Sequence, residues 1–501
     1  MKIKDLSLLL TSASMLSSLS IAEQTSFLFT NGNWDDTKNW TNGIPTSSVD
    51  VYQTGTINSV NLSSGGSVNN LIFEDVVLAG HVNYATNGDF SIAGDFSFNG
   101  YFSKDNWGGL RIIDSGSTAS TLSIGGDVDI SASLFNADYS SGGKAEVFFG
   151  STADYTPQFK AIEIGGDINL TANSNYGAIL NLNGKTVTVD GVANLSGEKA
   201  DLRLMRTPTT QDSFTSDISI GGINGVGAIT IECTKHGYEK NTKNTVNLTL
   251  TNSTNQTWIG KLNRKNVSWV SEKTDETTGE VTSTSYATTN EFNLTMNATD
   301  STKNQKLVIT NKVGLDSITT ESGKLDIYTA ATIGTINLKG GELSALAYNT
   351  SSKEVSEYGT IDATNLVWYG GAIGVNIASV EDIDNDIINV VKFDKGATKT
   401  GDYEVAFTFA EDLDILTFLE TEGELLKYTI LNFTDDDSSF TQEEADMIKA
   451  TGLDKNISCE FTIENNSLVA NLLYVAVPEP ETCATFIAAL ALGFAYLRRR
   501  K

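Results

Sequence analysis

Four copies of one short pattern recur along the chain: SIAGDF begins at Ser91, SIGGDV at Ser123, EIGGDI at Glu163 and SIGGI at Ser219. Each sets a β-branched residue before a Gly pair or its Ala-Gly equivalent. A strand that stops at a tight corner and restarts is the simplest unit with that signature, and glycine at the corner is expected to supply the positive φ a bulge or corner needs. The spacings of 32, 40 and 56 residues are unequal, so the corners are kept while the loops between them vary, as in an array whose strands stack only on their neighbours.

The flanking sequence agrees. From Thr25 to about Val380, runs such as TLSIGGDVDISAS, AIEIGGDINLTAN, KTVTVDGVANLSG and GTINLKGGELSAL alternate apolar with polar residues, the period-two signal of strands with one face buried. Almost no stretch there carries an apolar stripe at helical spacing. Two architectures fit, a right-handed parallel β-helix and a string of β-sandwiches. A sandwich string should show turns every 8–12 residues or so and linkers between units; no Pro-rich or Ser/Gly linker divides residues 25–380, which favours the β-helix. The predicted fold is therefore all-β, a β-helix over residues 23–380 with stacked apolar rungs inside and long Asn, Thr and Gly faces outside.

Within that scaffold WVSEKTDETTGEVTSTSY, from Trp269 to Tyr286, reads as a hairpin projecting from the side, with its loop around Asp275 to Gly279. Beyond Val380 the apolar runs lengthen and acidic clusters appear. Residues 381–476 are expected to form a small β-rich cap with one short helix: Thr441 and Glu444 have capping-box spacing, Ala445, Ile448 and Lys449 follow, and Gly452 marks the stop.

Charge and composition exclude several functions. The chain has 62 acidic and 34 basic side chains, a formal charge of −28, which argues against nucleic acid and anionic lipid as partners because phosphate binding needs a basic face. Three cysteines do not make a disulfide-stapled scaffold, and any serine-histidine chemistry must use His81 or His236. Cys233 and Cys459 could bridge in an oxidising compartment or remain thiols. Asp382, Asp384 and Asp386 have the alternation of a calcium loop, but Ile387 stands where the sharp turn needs Gly and Phe393 where it needs Glu. The triplet Asp435, Asp436 and Asp437 reads as a solvated acidic run. In KADLRLMRTPTT, Arg203 and Arg206 lie near Asp201, a pattern of side-chain pairing on a strand face. The Gly pairs lead into neither a helix nor a Lys, so they are not phosphate loops. No cofactor and no catalytic residue is expected.

Both ends read as addresses. MKIKDLSLLLTSASMLSSLSIAEQ has Lys2 and Lys4, an apolar run and small residues before Ala22, the layout of a secretory signal peptide (residues 1–22) cleaved after Ala22; the export machinery of the Sec type is the partner it implies. Residues 477–501 contain Pro478, Glu479 and Pro480, an apolar stretch from Ala484 to Leu497, then Arg498, Arg499, Arg500 and Lys501. A basic cluster after an apolar helix stays cytoplasmic, and the stretch is short for a lifelong span of about 20 residues. Without both ends, residues 23–477 would carry −31, because the two terminal segments are net basic.

That tail resembles the PEP-CTERM sorting signal of Gram-negative bacteria. The resemblance implies that an exosortase in the inner membrane recognises Pro478, Glu479 and Pro480 and removes the tail, the helix holding the site at the membrane while Arg498, Arg499 and Arg500 fix orientation. It further implies passage to the cell surface or an exopolysaccharide matrix. NGNWDDTKNWTNGIPTSSVDVYQTGTINSVNLSSGGSVNNLIFEDVVLAG, with Trp34, Trp40, Gly43, Pro45 and Asp50, is similar to the N-terminal repeat of secreted proteins with autotransporter-type β-strand repeats, and LTNSTNQTWIGKL, Leu250 to Leu262, looks like a further rung. These resemblances imply an exported structural or adhesive surface protein with glycan as a possible partner. The rival expectations are a polysaccharide lyase or glycoside hydrolase on the same scaffold, and an envelope protein that keeps its tail as a permanent anchor.

Overall fold

The computed structural model describes residues 23–475 apart from 29–31, 57–58, 63–64, 79, 103–108, 116–119, 133–142, 151–158, 207–212, 233–240, 276, 279, 381–384, 395–401, 424 and 435–440. By contacts the chain divides into two units, one reaching Lys324 with Thr329–Ala331, the other comprising Leu325–Tyr328 and the chain from Thr332 onward. The change of composition expected at residue 380 falls inside the second unit.

The first unit is a parallel β-helix with three faces. One coil shows the plan: Phe159–Ile164 lies on the first face, Ile168–Thr171 on the second and Gly177–Leu182 on the third, and Gly184–Val189 begins the next coil on the first face. Each strand pairs in parallel with its counterpart one coil on: Ile162 with Val187, Ile168 with Ala193 and Ile179 with Asp201. Side chains of alternate parity point inward, and the same inward position recurs coil after coil. On the first face Leu122, Ile162, Val187, Ile218, Leu248 and Leu294 stack in register, none more than 2% exposed. At about 1.5–3 kcal/mol per buried aliphatic side chain, such columns are the main stabilising term of the unit. Where the indole of Trp258 enters the core, Gly260 makes room for it, since a Cβ there would lie 2.5 Å from that ring, and the indole N–H donates to the Gly227 carbonyl at 2.9 Å.

The first three sequence copies stand directly on one another, Ser91 beside Ser123 and Ser123 beside Glu163. The 56-residue interval conceals one more coil, in which Thr188 of TVDGV pairs with both Glu163 and Ser219. The expected reason, a positive φ, holds at Gly222 of the fourth copy (φ +141°) and is corrected at the other corner glycines. Gly94, Gly125, Gly126, Gly165 and Gly166 do not have positive φ. They are glycine because the coils pack too closely at the corner for a side chain: a Cβ on Gly126 would lie 2.0 Å from Asp95 Oδ1, and one on Gly125 2.2 Å from the carbonyl oxygen of Ala93.

At the start of the unit Trp34 and Trp40 are buried, edge to face at 4.8 Å, and Trp34 meets Phe90 of the inner column at 5.6 Å. The Trp40 indole N–H donates to the Trp34 carbonyl at 2.8 Å. Pro45 is buried as well and Gly43 has φ +94°. The segment Leu250 to Leu262 forms a corner and the following strand, Gln256–Lys265. The hairpin predicted at Trp269 to Tyr286 is present: Val267–Thr274 pairs antiparallel with the first half of Val281–Asn297, whose second half joins the first face in parallel with Thr242–Leu250. The ribbon is thus a face strand continued beyond the edge of its sheet.

The second unit also pairs in parallel. Ile333–Leu338, Thr360–Trp368, Ile387–Asp394 and Leu426–Phe433 form one ladder, and Glu342–Ala345, Gly371–Ile377, Tyr403–Phe409 and Lys449–Thr451 another. Ser467–Tyr474 and Ile457–Glu464 then add in antiparallel order.

The helix expected from Thr441 is present but shorter. Glu444 reaches back to the Thr441 N–H at 2.8 Å, yet the helix covers only Gln442–Ala445, and Lys449 begins a strand paired with Tyr403–Phe409. Sheet pairing overrides the helical pattern there. Gly452, expected as the helix stop, has φ +75° at the end of that strand, where a Cβ would lie 2.0 Å from the Phe407 carbonyl oxygen. A second helix, Ile415–Glu422, was not legible in its apolar run. Asp414 caps it by accepting from the Thr417 N–H at 3.0 Å, and Gly423 ends it with φ +65°.

Candidate functional site

Three outer surfaces carry organised polar chemistry. The first is the corner between the first and second faces of the first unit. There each carboxylate or amide oxygen accepts the backbone N–H of the next coil: Asn70 from Asp95 at 2.7 Å, Asp95 from Asp127 at 2.9 Å, Asp127 from Asp167 at 2.7 Å and Asp167 from Val192 at 2.7 Å. Asp50 begins the series, its Oδ1 accepting from the side-chain amides of Asn69 and Asn70 at 2.9 and 3.0 Å. The Asp of the repeated GGD is therefore a link between coils, and the Gly before it leaves room for that link.

The second surface is the outer side of the first face. Ser67, Ser91, Ser123, Thr188 and Ser219 stand in one column, continued by Thr249, Thr295 and Thr319, with Glu163 between Ser123 and Thr188. Beside it, Asn247 donates to Asp217 at 2.8 Å, Asn293 to Asn247 at 2.9 Å and Ser317 to Asn293 at 2.8 Å. The second face has its own such series, Asp129, Asn169, Asn194 and Asn224, and the second unit repeats the scheme with Asp362, Asn389, Asn432 and Ser467. Along the hydroxyl column, from Ser91 to Asp190, an open groove of about 410 Å³ follows the corner where Gly125 and Gly165 carry no side chain.

The third surface, on the third face, is charged. Glu146, 1% exposed, takes Lys144 on Oε2, and on Oε1 the Arg203 Nη1 and Asn181 Nδ2, each at 3.2 Å. Arg203 Nε also donates to Asp201 Oδ2 at 2.7 Å, and Asp201 Oδ1 accepts the Thr230 hydroxyl at 2.6 Å. A groove of about 400 Å³ opens beside them, lined further by Asn263, Arg264 and Lys265; Arg264 is paired with Asp316. His81 bonds Arg111 at 2.8 Å and meets the edge of Phe148. The predicted pairing of Arg203 with Asp201 is present. Glu146, which joins it, was missed because it is distant in sequence; the parallel register alone brings it onto the same face.

The remaining predicted residues separate into two groups. Asp386 does not point outward as a calcium-loop ligand would. Its Oδ1 accepts the Gly359 N–H at 2.9 Å and its Oδ2 the backbone and side-chain N–H groups of Asn376 at 2.9 and 2.7 Å. Among the described residues no group of three or more His, Cys, Asp or Glu side chains could hold a metal ion. Cys459 is a half-buried free thiol, pushed up to about 12 by burial and by Glu460. Ala22, Pro478, Glu479, Pro480, Arg498, Arg499 and Arg500 lie outside the described residues, as do Cys233, His236, Asp382, Asp384, the Asp435–Asp437 run and the side chain of Arg206. The apolar stretch from Ala484 to Leu497 lies there too; among the described residues no helix is long and apolar enough to cross a membrane.

The class these surfaces define is a parallel β-helix whose organised chemistry lies on open polar faces. No family model and no curated protein matches the chain. Among solved structures, the Haemophilus influenzae Hap adhesin is similar over 90% of this chain and 57% of its own, at TM-score 0.27 and 10% identity. This chain therefore spans little more than half the length of that adhesin, and its own residues must carry any reading of its function.

Proposed function

We propose that the chain is an exported structural or adhesive protein of the cell surface or extracellular matrix, sorted by its C-terminal tail. The observation that carries this reading is the organisation of the outer faces: hydroxyl, amide and carboxylate side chains are fixed in register over many coils and line shallow open grooves. Extended faces of that kind suit contact with a long partner, whereas a small-molecule site is a concave pocket that encloses its ligand. The ends supply the route. Lys2, Lys4 and cleavage after Ala22 would admit the chain to export, and an exosortase acting at Pro478, Glu479 and Pro480, with Arg498, Arg499 and Arg500 held inside, would release it from the inner membrane.

A non-catalytic role is supported by the charged cluster. A glycan-cleaving enzyme needs one carboxylic acid and one carboxylate with separate environments, but Glu146 and Asp201 share Arg203 and are each held by a further donor. The test is deletion of residues 477–501 in the native cell, with antibody labelling of intact cells. Surface label should fall to background in the deletion strain; full label without the tail would contradict the sorting route.

A further inference from the structure

The hydroxyl column on the first face is a long, chemically uniform surface of the first unit. Over nine successive strands it presents Ser or Thr at every position except Glu163. Strands in a ladder are about 4.8 Å apart, so a hydroxyl that can both donate and accept recurs at that step except at Glu163, which accepts from the Ser123 hydroxyl at 3.2 Å. The adjacent column of Asp217, Asn247, Asn293 and Ser317 is locked by its own hydrogen bonds. Its amides are therefore oriented before any ligand arrives, which lowers the ordering cost of binding.

We propose that this face is a track for a neutral, β-linked polysaccharide lying extended along the stacking direction; the idea rests on the surface-protein reading and names the partner class. An extended polymer of that kind presents hydroxyls at a step similar to the strand spacing, so successive sugars meet equivalent groups on successive coils. The groove of about 410 Å³ at Ser91 to Asp190 lies along the track, where Gly125 and Gly165 leave its wall as bare backbone. Charge selects the neutral polymer. Neither column contains Lys or Arg, each contains one carboxylate, and Lys243 at the strand's edge is tied to Glu291 at 2.5 Å. An acidic polysaccharide would meet Glu163 and Asp217 with no Lys or Arg in either column to offset them; the exposed Lys160 and Lys185 stand on the same face outside the two columns.

The experiment is retention of the mature protein, recovered from cells, on cellulose as the neutral β-glucan and on immobilised alginate as the acidic control, at low and high salt. Variants Ser123→Lys/Thr188→Lys and Thr249→Lys/Thr295→Lys alter the track at two separate places, and Ser196→Lys alters the second face. Retention on cellulose should be insensitive to salt, weaker by about tenfold or more in each track pair and unchanged in Ser196→Lys, with thermal unfolding unchanged in all three. Equal retention by both track pairs, no retention of the unaltered protein on cellulose, or retention only on alginate at low salt would overturn the track. Labelling of intact cells separates this outcome from the surface reading: variants that reach the surface yet bind cellulose like the parent refute the track alone. Cellulose retention lost in the variants of a protein that never reaches the surface supports the track and refutes the surface reading.

Discussion

Asp386 is subject to two opposed demands. Three N–H donors stabilise its charged form, while burial, aided by Asp326, opposes the charge more strongly and raises its pKa to about 7. The folded chain then holds this proton over a range in which the unfolded chain, with a pKa near 3.8, has lost it. Stability contributed here is present below about pH 4 and declines as pH rises to about 7, by at most about 4 kcal/mol. Asp386→Asn should abolish that decline, so the difference in unfolding free energy between parent and variant should change across this window; a constant difference from pH 4 to pH 8 would refute it. The D-x-D-x-D spacing was legible in the sequence, but the partners that turn Asp386 inward, Gly359 just before the strand Thr360–Trp368 and Asn376 in Gly371–Ile377, are brought to it only by the coil. Cys459 gives a second residue-level test. With its thiol held up to about 12, almost none is thiolate at neutral pH, so alkylation in the folded protein should be slower than in denaturant by about tenfold or more. Equal rates would show that the thiol is neither buried nor suppressed.

The corner is the element on which the first unit depends, and two substitutions separate its two requirements. Asp127→Ala removes the acceptor of the Asp167 N–H at 2.7 Å and should cost about 1–2 kcal/mol. Gly126→Ala places a methyl 2.0 Å from Asp95 Oδ1, so the neighbouring coil must shift, at about 1–3 kcal/mol or more. If chemical denaturation finds Gly126→Ala neutral, the close packing claimed for the corner is wrong. Corners were legible because the Gly pairs and the alternation around them repeat locally. Their reason was not: the clash that requires glycine is with the previous coil, 24 to 40 residues away in the chain. The same distinction separates the two helices. The box at Thr441 and Glu444 is local and visible, but the strand Lys449–Thr451 that cuts the helix short is fixed by Tyr403–Phe409. For Ile415–Glu422, the start at Asp414 and the stop at Gly423 were not read from the apolar run, and only the structure identifies them as caps.

At the scale of the whole chain, an excess of 28 negative charges keeps such molecules apart in solution and leaves neutral or cation-bridged partners as the favourable ones. The cationic groups that line the third-face groove are largely committed to Glu146, Asp201 and Asp316, so they do not alter that balance. The organised outer faces explain how the protein could hold a long partner, and the two ends explain how it would arrive there. The claim that joins them is processing at the tail. The measurement that tests it is the intact mass of the native protein from membrane, outer-surface and culture fractions, with both termini mapped. The expected product begins near Glu23, ends beside Pro478–Pro480 and lies outside the inner membrane. A chain that keeps Arg498, Arg499 and Arg500 and stays in the membrane fraction would contradict it, and would make the tail a permanent anchor.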